Sequence, residues 1–465
     1  MPRWRSTTTP STRRSTSTST SARRPPAAAR ASEVAAVAAT RPISGALAAA
    51  CALAGVSAPS RAVEVETAVM VYSEADRVAA LEPVIRMTHA LSPTRTLGLK
   101  LVLDTLTGAS PNGAVPSTQA QTFTRPSGNS SYTAPPNTTP LDDAFSDRRG
   151  ELDLSLEQRY GLLTRASYGV HGSVEQDYLS GGASLVIKRE YDRRNRLLTL
   201  GLSVGFDSVR PQGGAPAALT EMAAPGEGED DDLREDDEGE GGGSELKTTA
   251  DLLLGLTQIV DRSTVLQLNY SACRASGYLS DPYKFVSVVQ SGLGTAPGEP
   301  LRQLYEGRPD TRLKQSLYGR VKRHLGRDIL DLSYRYLWDD WGIRSQTAEL
   351  HYHLRAWEAL GIEPQLRWYT QTAADFYRHS LVDGEVLPAD ASADPRLAAL
   401  TAWTYGLKLR HRLASGHELS LRGELYRQGG EDHPADAIGQ LRRQDLFPDL
   451  EAFMIQLAYR FDFTP

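Results

Sequence analysis

Two groups of residues carry side chains whose types and spacing could do chemistry. His351 and His353 alternate with Leu350, Tyr352 and Leu354, so both imidazoles fall on one face together with Glu349. Imidazole and carboxylate are ordinary zinc ligands, and two on one face could begin a metal site. The second group is Trp338-Asp339-Asp340-Trp341-Gly342 with Ala374-Asp375-Phe376-Tyr377-Arg378-His379. Carboxylates near a histidine could carry general acid–base hydrolysis. Each group also has a plainer explanation. No third ligand set accompanies the histidines, and a polar, wet face needs no metal. The carboxylates among aromatics equally suit an aromatic girdle with ion pairs closing a loop, and this is the reading adopted. No nucleophile elbow, phosphate loop or zinc helix occurs, because the glycine-rich run at 239–243 follows an acidic stretch instead of opening a helix.

The elements that would position these residues are strands. From 452 to 463, Phe453, Ile455, Leu457, Tyr459, Phe461 and Phe463 alternate with Met454, Gln456, Ala458, Arg460 and Asp462. Period two sends the two sets to opposite faces. Leu198, Leu200, Leu202, Val204 and Phe206 form a similar row, as do Leu330, Leu332, Tyr334, Tyr336 and Trp338. A charged row backed by a greasy row, repeated along the chain, suits strands with lipid outside and water inside. Strands are expected at 63–73, 77–90, 94–105, 148–158, 163–174, 181–191, 196–208, 247–259, 263–275, 310–323, 328–339, 344–354, 360–371, 399–412, 416–428 and 451–463. Every second connection is a turn of a few residues. The others are mostly long and rich in Pro, Gly, Ser, Thr and Asp: 107–147, 209–246, 276–309, 372–398 and 429–450. This alternation is the asymmetry of outer-membrane barrels, with short periplasmic turns and long extracellular loops. The fold class expected is therefore all-β, a transmembrane antiparallel up-and-down barrel of about sixteen strands, with polar lumen residues Arg335, Glu349, His351, His353, Arg367 and Arg460.

Composition narrows the alternatives. The net charge is −6, without a basic patch beyond the extreme N-terminus, so a nucleic-acid footprint is missing. After the N-terminal region no apolar run reaches the roughly 18 residues that a spanning helix needs. Of the two cysteines, Cys51 falls in a leader-like segment and Cys273 is left alone, which removes both an internal disulfide and a cysteine zinc cluster. Residues 1–40 have the composition of a disordered extension and are expected to lie outside the fold, with the true start nearer Val34 or Val37. Residues 41–62 read as a signal peptide with cleavage after Ala58 or Ala62. A lipoprotein with Cys51 acylated is the weaker alternative. The barrel then occupies 63–465. The acidic run Glu227–Glu240 lacks the spacing of a dedicated calcium loop and reads as solvated chain.

Several segments resemble the recurring motifs of an uncharacterised bacterial family of predicted outer-membrane barrels, domain of unknown function 3570. They are Tyr72-Ser73-Glu74 with Asp76-Arg77, Leu106–Ala114 with Ser110-Pro111-Asn112-Gly113 at its centre, Asp339-Asp340-Trp341-Gly342, and Gln371–Tyr377 with Asp375-Phe376-Tyr377. The resemblance covers about 63–463 and implies fold and an outer-membrane location in a Gram-negative bacterium, with no activity attached. In the expected topology every motif lies at the loop-side end of a strand, which makes the extracellular rim the favoured functional surface. The leading expectation is a pore or export conduit without a catalytic step or cofactor. Its expected partners are outer-membrane lipid and the barrel-assembly machinery. A structural sheath for an envelope or periplasmic partner, and a hydrolase using Asp339, Asp340, Asp375 and His379, are the alternatives.

Overall fold

The computed structural model describes residues 63–75, 77–108, 111–124, 131–141, 146–211, 214–222 and 243–463. The leader, the N-terminal extension, the acidic run and Ser110 lie outside these residues. In chain order the strands are β1 Val63–Glu74, β2 Ala79–Ser92, β3 Arg95–Thr107, β4 Gln121–Thr124, β5 Ser131–Ala134, β6 Ser146–Tyr160, β7 Thr164–Val174, β8 Tyr178–Tyr191, β9 Arg196–Val209, β10 Glu245–Ile259 and β11 Thr264–Gly277. They continue with β12 Phe285–Val289, β13 Pro300–Tyr305, β14 Thr311–Leu325, β15 Asp328–Asp339, β16 Arg344–Arg355, β17 Leu360–Gln371, β18 Leu381–Val382, β19 Leu400–Arg412, β20 Glu418–Gly430 and β21 Leu450–Phe463.

Sixteen of them form a closed antiparallel barrel, β1-β2-β3-β6-β7-β8-β9-β10-β11-β14-β15-β16-β17-β19-β20-β21. The ring shuts where β1 pairs β21, from Val63 opposite Phe463 to Glu74 opposite Ala452. Each expected strand falls on one wall strand, with ends that differ by three residues at most; β8, for example, starts at Tyr178 rather than 181.

Alternation explains the wall. Leu200, Leu202, Val204 and Phe206 are 37–62% exposed, while Asp207, on the other face of the same strand, is 8% exposed. Leaving such a row in water would forfeit its transfer free energy, so the outside of the wall is matched to hydrocarbon. The inner face carries charges that neutralise one another across neighbouring strands. Lys100 reaches Glu151 at 2.6 Å, Arg149 reaches Asp104 at 2.9 Å, and Lys247 reaches Asp207 at 2.9 Å. Cross-strand neighbours on one face are close enough for these pairs to form without distorting the ladder.

The long connections, where the sequence pattern places no strand, contain five strands outside the wall among the described residues: the β4–β5 hairpin, and a three-stranded sheet in the order β13-β12-β18. β12 runs antiparallel to β13 and parallel to β18. These strands and other described loop segments pack into several dry clusters, one with Phe123 and Phe285, one with Val289 and Leu441 and one with Phe447, each of these residues 2% exposed or less. The loops thus form a folded cap at the loop-side mouth, and its underside meets the inner wall.

Candidate functional site

Asp339 closes β15, and the chain reverses through Asp340–Ile343 into β16. The Asp339 carboxylate accepts the backbone N–H groups of Trp341 at 3.1 Å and Ile343 at 2.8 Å, and its other oxygen takes the Arg312 guanidinium. Arg312 also lies over the Trp341 ring, 4.2 Å from its centroid, and the indole N–H donates to the Thr311 carbonyl at 2.8 Å. Gly342 has φ +84°, a conformation that favours glycine, and a Cβ there would press on the Asp375 carboxylate, 2.2 Å from Oδ1. Across this contact the Asp375 N–H donates to the Trp341 carbonyl at 2.9 Å, and Phe376 sits edge-on to Trp341 with centroids 5.1 Å apart. The structure therefore joins Asp339, Asp340, Trp341, Gly342, Asp375, Phe376 and Tyr377 into one module, with Tyr377 packed against its core.

This module has no acid–base pair. Asp340 accepts the Leu313 N–H at 2.9 Å, and no ion pair joins His379 to Asp339, Asp340 or Asp375. The carboxylate beside His379 belongs to Asp436, at 3.9 Å. Burial lowers the His379 pKa from its ordinary value.

Pro111, Asn112 and Gly113 lie elsewhere in the cap, where they pin β12. Lys284 Nζ donates to the Pro111 carbonyl at 2.6 Å, and the Phe285 N–H donates to the Asn112 carbonyl at 2.7 Å. The Asn112 side chain accepts the Ala114 N–H at 2.9 Å and donates to the Tyr132 hydroxyl at 2.8 Å. Gly113, at φ +92°, leaves 2.5 Å between a hypothetical Cβ and the Phe285 carbonyl oxygen.

Next to β12 lies a group of ions around the buried Glu306 and Asp394 that sequence reasoning missed. Arg308 reaches Asp394 at 2.8 Å and Glu306 at 2.7 Å; Arg396 reaches Asp394 at 2.7 Å and also pairs with Asp281. Ser392 donates to Glu306, whose other oxygen accepts the Asp281 N–H at 2.6 Å. Burial pushes the Glu306 carboxyl up to about 6, against the pull of Arg308. Burial also opposes the Asp394 carboxylate, yet Lys284, Arg396 and Arg308 together hold it well below the usual range. Nothing in the local spacing marks these residues, because they come from two loops that meet only in the fold, through the β12–β18 pairing and the Gly307–Ala391 bridge.

Within the bore, His351 Nδ1 and His353 Nδ1 both approach Glu363, at 3.1 and 2.9 Å, and Glu349 lies nearer Arg367, at 3.3 Å, than His351, at 4.0 Å. Arg460 bridges Glu418 at 3.1 Å and Glu64 at 3.8 Å, and Arg335 lies over the Tyr318 ring at 5.6 Å. Hairpin register could have supplied Glu363, since β17 is the next strand. Among the described residues no set of three or more His, Cys, Asp or Glu side chains is placed to hold a metal ion.

A family model described as a protein of unknown function, DUF3570, matches residues 34–461. No curated protein matches the chain. Among solved structures, a ferric enterobactin receptor from Pseudomonas aeruginosa shares 12% identity over 85% of this chain and 59% of its own, with TM-score 0.40. The outer membrane protein opdK from Pseudomonas aeruginosa shares 10% over 86% and 99%, with TM-score 0.36. A bacterial polysaccharide outer membrane secretin shares 9% over 86% and 98%, with TM-score 0.41. The chain spans 54% to 62% of the length of the ferric enterobactin receptors it matches. What those proteins bind is not carried over to this chain.

Proposed function

Starting from a chain that belongs to the DUF3570 family of proteins of unknown function, we propose that it is a conduit in the outer membrane of a Gram-negative bacterium, with the folded cap controlling entry at the extracellular mouth. The observation that supports this most directly is the inner wall, where ion pairs such as Lys100–Glu151, Lys247–Asp207, Arg320–Asp331 and Arg460–Glu418 line much of the ring behind an apolar outer face. A sixteen-stranded barrel is wide enough to enclose water unless its loops fill it. Selectivity then comes from lumen charges such as Arg335, Glu349, Arg367 and Arg460. The rim carboxylates serve loop closure, so no hydrolytic step is assigned.

Planar-bilayer conductance tests this reading. The intact protein should show small or intermittent current, and replacing residues 278–309 with a short Gly-Ser turn, which removes β12 and β13, should open a larger and steadier one. If neither form conducts, the conduit fails and the barrel is a structural element presenting its cap to an envelope partner.

A further inference from the structure

Beneath the cap, one cavity of about 560 Å³ is bounded by the inner wall from β6 to β14 and by the segment Tyr278–Tyr283. Its two ends differ in charge. At the β6–β7 end stand Asp147 and Glu175; among the described residues the nearest cation to Glu175 is Arg149 at 3.8 Å, and Asp147 accepts only its neighbour's backbone N–H. At the β14 end stands Lys314, which makes no ion pair among the described residues, beside Arg312. Between the ends the charged lining is paired within the protein, Lys247 with Asp207, Arg308 with Glu306 and Asp394, and Arg396 with Asp281, and aromatic rings stand among these pairs. Tyr178 receives Lys247 at 3.2 Å, while Tyr283 is fixed by its hydroxyl donating to Asp177. Trp341 and Tyr278 also line it.

We infer that this cavity is a binding site for an extended zwitterionic peptide, with its ammonium at Asp147 and Glu175 and its carboxylate at Lys314 and Arg312. Length and volume agree on the size. From β6 to β14 is six steps around the ring, on the order of 30 Å along the wall at roughly 4.8 Å per strand. A six-residue extended chain spans about 20 Å, and the long Lys314 and Glu175 side chains reach in from either end. The volume lies within the range of ordinary ligand pockets, and the tyrosine rings offer apolar faces with polar tips to a backbone lying between them. Matched terminal charges give orientation as well as affinity, since a charge-assisted hydrogen bond is about twice as strong as a neutral one.

The test is titration calorimetry on the full barrel in detergent, which needs no current and so stands apart from the conductance experiment. The probe is the hexapeptide Gly-Ser-Gly-Ser-Gly-Ser, with free termini, with an N-acetyl group, with a C-terminal amide, or with both. The free peptide should bind, and capping both ends should weaken it at least about tenfold. In Lys314→Glu, amidation should no longer weaken binding; in Asp147→Asn, acetylation should no longer do so. Heat-modifiable gel mobility reports that each variant is folded. No binding by the free peptide, or equal binding of free and doubly capped peptide to the wild type, overturns the inference. So does an unchanged response to amidation in folded Lys314→Glu.

Discussion

In the wall, Leu457 is 50% exposed and its apolar neighbours Phe453 and Ile455 are nearly as open; in the cap, Phe285 and Phe123 retain 2% and 0%. The same residue types face outward in one region and inward in the other. The wall is a single layer whose apolar solvent lies outside the protein, and the cap is a small globular unit that must supply its own. Ion pairs occur in both regions: Arg460 with Glu418 in the wall keeps part of its surface in the bore, Asp331 on β15 is 3% exposed, and Asp394 and Glu306 in the cap are 1% and 0% exposed. The two regions should therefore respond to different perturbations, and the cap should melt while the wall stays closed.

The largest expected effect is in the cap. Phe285 packs against Phe123 at 5.8 Å and Tyr305 at 5.1 Å between ring centroids, and its backbone joins β12 to Asn112 and β13. Truncating Phe285→Ala removes a large buried ring and should cost about 3–5 kcal/mol. Limited proteolysis should then cut within 278–309 while the wall keeps its heat-modifiable mobility. Loss of both together would mean that cap and wall are one cooperative unit.

The wall is sensitive to facing. Leu457 and Gln456 are neighbours on β21, paired across the barrel seam with Val69 and Met70. Arginine at Leu457, near mid-membrane on the outer face, should cost about 2–4 kcal/mol, while arginine at Gln456 in the bore should leave folding nearly intact. Equal folding yields into bilayers for the two variants would contradict the facing of the whole strand.

The same contrast explains what the sequence made legible. Lipid on one side and water on the other force strict alternation, so the row from Leu198 to Phe206 and the row from Phe453 to Phe463 announced their strands, and short turns fixed their order. β12 reads Phe-Val-Ser-Val-Val and is buried at every position, so no alternation marks it. β18 is two residues long and exists only because Val288 and Val289 lie beside it. The rim motifs were placed at strand ends by the same phase argument. That Gly342 must admit Asp375, and that Phe376 must meet Trp341, depends on which loops cross, which no local pattern encodes.

The smallest effect concerns pH, and it belongs to the cap alone. Glu306 faces Arg308, Asp281, Asp394, Lys284 and Ser392, and its carboxyl is pushed up to about 6 from 4.5 by burial. A raised carboxyl contributes stability that is complete below about pH 4.5 and is lost as pH rises through about 6. Asp394, held below its usual value, acts at lower pH: its contribution is present above 3.8 and lost on acidification. His379 opposes Glu306 in the neutral window, because burial lowers its pKa, and its contribution is lost as pH falls below 6.5. Comparing wild type with Glu306→Gln cancels the His379 and Asp394 contributions. Between pH 5 and 7.5 the urea midpoint of the cap should fall in the wild type relative to the variant, by the equivalent of about 1–2 kcal/mol. The wall's own unfolding should show no such difference, since Glu306 touches none of its strands. A pH-independent gap between the two proteins would mean that Glu306 stays ionised inside the cap, held by Arg308 more firmly than burial opposes it.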